Sequence, residues 1–405
     1  MVKKNCFFLI FIFCLQFQAQ SIKTIQLRPN QTNIYTSIVP LGTVLTLSFD
    51  DLEADSKDYY YKIDLMTYDW KPSRLLANQY IDGFQKNVIL DYNNSFNTLQ
   101  NYTHYEVQIP NTNTRITKSG NYLISILDQY DDVIFTRRFV LYEQNVIVGV
   151  QAQRSRDTKT YDTEQTIEFT VNYPNLRINN PNMEIHTAVL QNNNWETVKT
   201  DFQPTFFKQN QLVYSYTKNS NFAGGNEYLN FDNKILRNKS LNTQFIEKRD
   251  VWYHYLYPYE YNQYKKYTYN PDINGQFLVR TLEGNTPKTE ADYANVNFAL
   301  FANEEFIDKE IYVYGAFNNF ELTEENRMYF DKENNIFTAN ILLKQGFYNY
   351  TFISKNSNKQ GDITYLIGNH HQTENEYTVL VYFKPVGGLF DRVAGVGTVL
   401  FKGER

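Results

Sequence analysis

Cysteine is almost absent from this chain of 405 residues, and its two copies, Cys6 and Cys14, lie close to the amino terminus. The surrounding segment has two lysines followed by about ten apolar residues, which is typical of a secretory signal peptide. We therefore predict a leader over residues 1–20 that is cleaved near Ala19. A lipoprotein cut before Cys14 is the alternative, but Phe13 is bulkier than the small residue such a site requires. The processed chain would hold no thiol, which excludes disulfides and thiolate metal sites from it.

Long apolar runs and an excess of positive charge are also missing. No segment after the leader approaches the roughly twenty apolar residues that a membrane-spanning helix needs, so we expect no direct membrane insertion. The net charge is −5, and removal of the leader lysines makes it more negative. Because nucleic-acid binding draws most of its affinity from neutralised phosphates, no nucleic-acid partner is expected.

Histidine is scarce, and no catalytic motif is present. The five histidines show no HExxH spacing, and the chain lacks a GxSxG elbow, a phosphate-binding loop and a GxGxxG fingerprint. His370 and His371 with Glu374 or Glu376 could hold a metal ion, but adjacent side chains of a strand point to opposite faces. We therefore predict no catalytic residues, no cofactor and no metal. A pair of carboxylates that converge only in the fold, as in a glycosidase, stays open as an alternative.

Aromatic residues are abundant, with 34 Tyr and 30 Phe. A coding bias raises such residues without functional meaning, but their placement at every second position in short segments is typical of strands. The run 43–49 and the run 166–173 alternate in this way, with polar turns between such runs. The predicted fold class is all-β, with two to three consecutive immunoglobulin-like or early-set β-sandwich domains after the cleaved signal peptide.

Turn and linker signals divide the chain. We predict five segments: signal peptide 1–20, N-terminal β-sandwich 21–143, middle β-sandwich with a Tyr-rich segment 144–288, early-set β-sandwich 289–386 and a Gly-rich C-terminal tail 387–405.

The Tyr-rich segment 252–269 has a tyrosine at nearly every second position. For 252–257 we interpret the aromatic face as domain core. The following part is interleaved with charged residues, and tyrosine is common where a surface must tolerate both water and a partner. The predicted partner-facing residues are Tyr259, Tyr261, Tyr264, Tyr267 and Tyr269.

The segment 315–320, followed by the strand 348–352, resembles the early-set sandwich domains that bind glycogen and starch. That resemblance implies a sandwich fold and places Phe320 where the sugar-stacking tryptophan of those domains stands. Phe320 is thus a residual glycan-type position.

A wider resemblance covers nearly the whole mature chain. The sequence resembles the plug proteins of the type IX secretion system of Bacteroidota. Six groups of residues, in order along the chain, carry this resemblance: 95–98 with 102–105, 119–122, 222–228, 272–277, 343–350 and 368–377.

The plug resemblance implies a function without catalysis. Such a protein is periplasmic and associates with the outer membrane through its partner, a large outer-membrane β-barrel translocon. It would be a monomer within a hetero-complex and would sterically seal the periplasmic opening of the barrel until substrate engages. A periplasmic or surface carbohydrate-binding module without catalysis is the alternative function.

Overall fold

The computed structural model describes residues 21–31, 34–200, 202–216, 219–261, 265–301, 306, 308–355 and 361–403. The predicted leader lies outside these residues. Regular structure is almost entirely β-strand, which confirms the predicted all-β sandwich fold. The short helices are α1 Pro181–Glu184, α2 Pro287–Glu290 and α3 Thr364–Ile367, with 3-10 turns at Ala77–Gln79, Ala316–Asn318 and Glu324–Asn326. Within these ranges, no helix has the length and apolar character needed to cross a membrane.

The first unit is a β-sandwich built from the first eleven strands. These are β1 Ile22–Pro29, β2 Ile38–Pro40, β3 Leu45–Asp51, β4 Tyr60–Met66, β5 Ile81–Gly83, β6 Lys86–Val88, β7 Asp91–Asn94, β8 Thr103–Ile109, β9 Thr114–Ile116, β10 Gly120–Leu127 and β11 Val133–Tyr142. One sheet has the order β1-β3-β8-β7 and the other β2-β11-β10-β4-β6, while β5 and β9 pair separately. The alternating residues Leu45, Leu47 and Phe49 are at most 1% exposed and point into the core between the sheets. This burial of one face of the strand explains the period-two pattern of the sequence.

The middle unit begins with seven strands. These are β12 Ile147–Arg154, β13 Glu164–Asn172, β14 Ile185–Gln191, β15 Asn194–Thr200, β16 Phe206–Lys208, β17 Gln211–Tyr214 and β18 Asn221–Ala223. One sheet has the order β12-β13-β17-β16, with β18 also paired to β13.

The third unit follows with ten strands. These are β19 Leu229–Asp232, β20 Thr243–Lys248, β21 Trp252–Leu256, β22 Phe277–Val279, β23 Tyr293–Phe301, β24 Ile311–Tyr314, β25 Arg327–Asp331, β26 Ile336–Lys344, β27 Gly346–Lys355 and β28 Gly361–Asp362. They form one continuous sheet whose main path runs β19-β27-β24-β25-β26-β23-β21-β20. Phe231 at one end of this path and Leu256 near the other belong to the same buried cluster, so the sheet curls around its own core.

The chain then returns to the middle unit with β29 Asn375–Phe383 and β30 Arg392–Phe401. These strands complete a second middle sheet, of order β15-β14-β29-β30. Val189 of β14 lies opposite Val379 of β29, and both are fully buried. The third unit is therefore inserted into the middle unit.

The sheet pairing differs from the predicted division of the chain. The boundary at 288 separates strands of one sheet, and the boundary at 386 separates β29 from its partner β30. The predicted tail 387–405 contains β30, and the predicted boundary at 288 falls inside α2, which packs beside the first unit. The units are thus not consecutive, because β29 finds its partner about 190 positions earlier, a choice that depends on core burial and not on local pattern.

The first and middle units meet through an apolar interface. Ile38 and Val140 of the first unit pack with Leu190, Leu380 and Val393 of the middle unit, and all five are buried. Burial of such side chains stabilises the contact by about 1.5–3 kcal/mol for each fully buried residue.

We predict that ending the chain after Val386 destroys the middle unit, because β29 loses its partner strand and the core loses the buried residues Val393 and Ala394. The loss of stability is expected to be a large part of a typical folding stability of about 5–15 kcal/mol. The truncation also leaves an apolar edge strand open to aggregation. The expected result is a sharp fall in soluble yield and loss of cooperative thermal unfolding by circular dichroism. A chain ending after Gly403 is the control, and equal melting of the two truncated chains would contradict the insertion topology.

Candidate functional site

The histidines are dispersed over the structure. His104 lies in the first unit, His186 and His371 in or beside the middle unit, and His254 in the third. Burial lowers the pKa of His254 to about 4, so this ring is neutral at physiological pH. Among the described residues, no group of three or more His, Cys, Asp or Glu side chains is arranged to hold a metal ion.

The most densely charged buried site joins the first unit to the third. Its centre is Asp50 at the end of β3, which is fully buried. Lys344 Nζ, from β26, donates to Asp50 Oδ2 at 2.7 Å, and both side chains are almost inaccessible to solvent. His104 Nδ1, from β8, lies 2.6 Å from Asp50 Oδ1. Each carboxylate oxygen of Asp50 therefore has a charged or ring partner.

Two tyrosines enclose this ion pair. Tyr293 OH donates to Asp50 Oδ2 at 2.6 Å and lies 2.6 Å from Thr24 Oγ1. Lys344 Nζ sits 4.0 Å from the centroid of the Tyr102 ring, a cation–π distance. Thr24 has a positive φ of 52°, at an irregularity in the pairing of β1 with β3, which directs its hydroxyl into the cluster. The first unit thus supplies the acid and the third unit supplies the cation and a phenol.

An outer layer extends the same junction. Lys288 of α2 donates to the carboxylate of Glu106 on β8, and its carbonyl accepts a 2.7 Å hydrogen bond from Lys344 Nζ. The Asp292 carboxylate accepts from the backbone N–H groups of Leu99 at 2.6 Å and Gln100 at 3.1 Å. α2 and the following Asp292 therefore add contacts to the first unit beside the ion pair.

The pKa values of the groups at this junction reflect two opposing effects, burial and the charges of neighbouring groups. Burial alone would raise the pKa of Asp50, but the Lys344 ammonium and His104 outweigh it and hold that pKa below its ordinary value. Burial alone would lower the pKa of His104, but its hydrogen bond to Asp50 and the nearby Glu106 raise it. His104 and Lys288 together hold the pKa of Glu106 at about 2. Burial lowers the pKa of Lys344, with the Asp50 carboxylate opposing the change. Asp50 therefore has His104 as a partner within the first unit, but it gains its cation only when the two units are docked.

We predict that Lys344→Met destabilises the protein by about 3–5 kcal/mol, because it leaves the Asp50 carboxylate buried without its cation. The measurement is the free energy of unfolding in urea. Lys62→Met is the matched control, since Lys62 forms an exposed pair with Asp64 at 2.9 Å and should change stability by no more than about 1 kcal/mol. Equal effects of the two substitutions would contradict the role given to the buried pair.

A second junction lies where the chain enters and leaves the third unit. The segments 224–228 and 368–374 run side by side, with His370 N donating to Gly225 O at 2.8 Å. A side chain at Gly224 would place its Cβ 2.0 Å from the His370 carbonyl oxygen, so only glycine allows this approach. His370 and His371, considered above as metal ligands, instead form part of this double crossing.

Glu227 is the buried acid of the double crossing. Its Oε1 accepts from the hydroxyl of Tyr267 and, at 3.1 Å, from the backbone N–H of Glu374. Burial raises the pKa of Glu227 to about 7, and that of the neighbouring Asp272 to about 6. The folded protein therefore holds a proton on Glu227 more tightly than the unfolded chain does.

A carboxyl with a raised pKa stabilises the fold most at low pH, and its contribution is lost as pH rises from about 4.5 through about 7. We predict that Glu227→Gln stabilises the protein by on the order of 1–3 kcal/mol above pH 7 and by little below pH 5. Urea unfolding of wild type and variant across this pH range tests it. The exposed Glu333→Gln serves as control, and a pH-independent difference for Glu227→Gln would contradict the assignment.

A groove opens where all three units meet. Its walls come from β1 and β11 of the first unit, from 193–196 of the middle unit, and from 276–277 and 316–321 of the third. The enclosed volume is about 210 Å³, and a neighbouring groove of about 680 Å³ continues it between β1 and the loop 317–326. Six residues line both grooves, so they form one channel along β1: Ile25, Thr136, Arg137, Phe277, Asn319 and Glu321.

The predicted partner-facing tyrosines occupy different environments. Tyr259 and Tyr261 are half-buried against the core of the third unit, with the Tyr261 ring 4.7 Å from Phe306. Tyr267 is half-buried at the double crossing, Tyr269 is 41% exposed, and Tyr264 lies outside the described residues. Among the described residues of this segment, 257–261 and 265–269, no strand continues β21, so the alternating aromatic face expected of a strand is not formed there. Their contact with a partner stays a prediction.

Phe320 lines the smaller of the two grooves and does not lie on an open surface. It is 6% exposed and packs against Tyr314, with ring centroids 5.3 Å apart. A ring that stacks on a sugar needs an open face, whereas Phe320 belongs to a buried cluster with Tyr228, Tyr314 and Ile353. Its glycan-type role stays a prediction.

Sequence reasoning missed the ion pair of Asp50 and Lys344, whose positions are 294 residues apart. Only a weak signal for this pair is present in the sequence. Asp50 and Lys344 each lie at the end of an apolar strand, where charged residues are also typical of the turns that follow. Five of the six groups of residues singled out above nevertheless converge on these two junctions, and the sixth, 119–122, contacts the middle unit through the hydrogen bond that Tyr382 OH donates to Asn121 Oδ1 at 3.0 Å. Residues 102–105 and 343–350 meet at the ion pair, and 222–228, 272–277 and 368–377 meet at the double crossing.

Comparison with known proteins agrees with this architecture. Residues 22–143 match the family model for the type 9 secretion system plug protein 1st domain, which covers the whole first unit. The chain is also similar to a crystal structure described as a hypothetical protein from Parabacteroides merdae, with 30% sequence identity and a TM-score of 0.90 over 94% of this chain and 98% of that one. No match is found among curated proteins.

Proposed function

The chain belongs to the type IX secretion system plug protein family, and on that premise we propose that it seals the periplasmic opening of a large outer-membrane β-barrel translocon until substrate engages. Members of this family are components of secretion and not a known family of enzymes. The family match of the first unit, with likeness to a solved structure along nearly the whole chain, is the observation that carries the proposal.

A plug acts by occupying space, and the described architecture suits that role. A barrel with many strands encloses a water-filled lumen, so a seal needs a body that does not deform when it is pressed against the opening. The three units are tied by an apolar interface, a buried ion pair and a double chain crossing. Relative motion of the units would break buried contacts at each of these places, which supports a single stiff body.

Release of the plug needs an affinity that substrate can overcome. A docking surface that is mostly polar at its rim, with a few aromatic anchors, gives moderate affinity and a finite residence time. Tyr269, at the end of the predicted partner-facing segment, is 41% exposed, and Tyr257, predicted from the sequence as domain core, is 56% exposed just before that segment. We include Tyr269 among the proposed anchors, while Tyr259 and Tyr261 would support the segment from the core side.

The test is a deletion strain examined for leakage. If the protein seals a barrel, cells that lack it should take up small hydrophilic dyes several-fold faster than wild type, and the native chain should restore the barrier. The protein should also co-purify with an outer-membrane barrel from a mild detergent extract.

A strain that lacks both the barrel and this protein is the control, because without a pore there is nothing to leak. Unchanged dye uptake in the single deletion, with the barrel present, would contradict the proposal. A variant with Tyr269→Ala should fold as wild type and recover less barrel on co-purification, whereas Tyr329→Ala, an exposed tyrosine of β25, should not change recovery.

A further inference from the structure

The channel along β1 is lined by four cations, of which Lys23 and Arg138 have a carboxylate partner and Arg28 and Arg137 have none among the described residues. The guanidinium group of Arg28, on β1, makes no hydrogen bond and no ion pair with the residues that the structure describes, and its electrostatic neighbour is Tyr35. Arg137 of β11 uses one of its five N–H donors, for a 2.8 Å hydrogen bond to the carbonyl of its own neighbour Thr136. Arginine is almost always satisfied by carboxylate or phosphate when it is removed from water, so two unpaired guanidinium groups in one groove are unusual.

Both guanidinium groups are partly removed from water. Burial lowers the pKa of Arg137 to about 10, with Glu321 opposing the change, and burial also lowers the pKa of Arg28. Glu321 does not neutralise Arg137 by direct contact, since its Oε1 accepts a 2.6 Å hydrogen bond from Asn319. A desolvated cation gains from an added acceptor far more than an exposed one does.

The remaining charges of the channel select the kind of anion. Four acids line its length, and three of them are already paired: Glu196 with Arg138, Glu324 with Arg327 and Glu325 with Lys23, while the fourth is Glu321. A nucleic acid or other polyanion would bring phosphates against these four acids. A single carboxylate fits instead, because it can reach the arginines without extended contact with the acids.

The shape of the channel selects an extended chain. β1 is an edge strand with a strand partner on one side only, β3, and it forms one wall of both grooves. Edge strands pair with extended peptides through their backbone groups. Ile25 and Phe277 line the shared part of the channel and offer apolar contact to alternate side chains of such a peptide.

We propose that the channel along β1 binds an extended segment of a partner protein that carries an acidic side chain, with its carboxylate paired to Arg137 and Arg28 and its backbone alongside β1. The inference goes beyond the sealing of a pore and does not depend on it, because the groove is complete within one copy of the chain.

The test uses the purified full-length mature chain and a fluorescein-labelled peptide of about ten residues, rich in Thr and Val, amidated at its carboxyl end and carrying one central Asp. The matched probe has Asn at that position. Fluorescence anisotropy should show the Asp peptide binding at least about tenfold more tightly, the effect of one charge-assisted contact worth about 1.4 kcal/mol.

Arg137→Met and Arg28→Met should each bring the Asp peptide to within about twofold of the Asn peptide. Arg115→Met, at an exposed pair with Asp82 in the first unit, should leave the preference intact. Arg137→Lys keeps the charge and should retain part of the preference, which separates loss of the site from loss of folding. Thermal unfolding checks that each variant is folded.

Equal affinity for the two peptides, or no binding of either, would overturn the proposal. So would a preference that survives in folded Arg137→Met and Arg28→Met proteins. Displacement of the Asp peptide by inorganic phosphate at equal molarity would show a site for small anions and would also overturn it.

Discussion

The architecture depends on the buried ion pair between Asp50 and Lys344. It joins the first unit to the third by two opposite charges that are both almost inaccessible to solvent, and the strands that supply it belong to different sheets. A buried pair contributes little net stability relative to apolar residues, but it is costly to break, so it specifies one arrangement against all others. Tyr293 strengthens that specificity, since its hydrogen bond to Asp50 exists only in the docked geometry, while His104 holds the other carboxylate oxygen from within the first unit.

The insertion of the third unit into the middle unit explains why contacts beyond the chain connection are needed to hold it. A unit joined to the rest by two adjacent chain segments would swing about them as a hinge. The double crossing is stiffened by close backbone approach at Gly224, and the ion pair holds the far side of the same unit to the first. The third unit is thus constrained at two separated places, and the ion pair opposes a swing about the double crossing.

The channel along β1 is a consequence of the same arrangement. Three convex sandwiches that meet cannot fill the space at their common edge, so a groove remains there. What distinguishes it is its lining, because the unpaired Arg28 and Arg137 lie on strands from the two opposing sheets of the first unit. The open edge of a sandwich, which natural proteins usually cover, is here partly covered by the loop 317–326 and partly left free.

The sequence by itself determined the all-β class, because the alternation of side chains along a strand is local and leaves its mark in runs such as 45–49. It also determined the family, through short groups of residues that proved to be the ones at the junctions. Tertiary structure alone decided that β29 returns to pair with β14, and that Asp50 meets Lys344 across 294 positions. It likewise decided which tyrosines of 259–269 are half-buried and that Phe320 is enclosed. The physical reason is the same in each case: pairing and burial depend on the path of the whole chain, whereas periodicity depends only on the nearest neighbours.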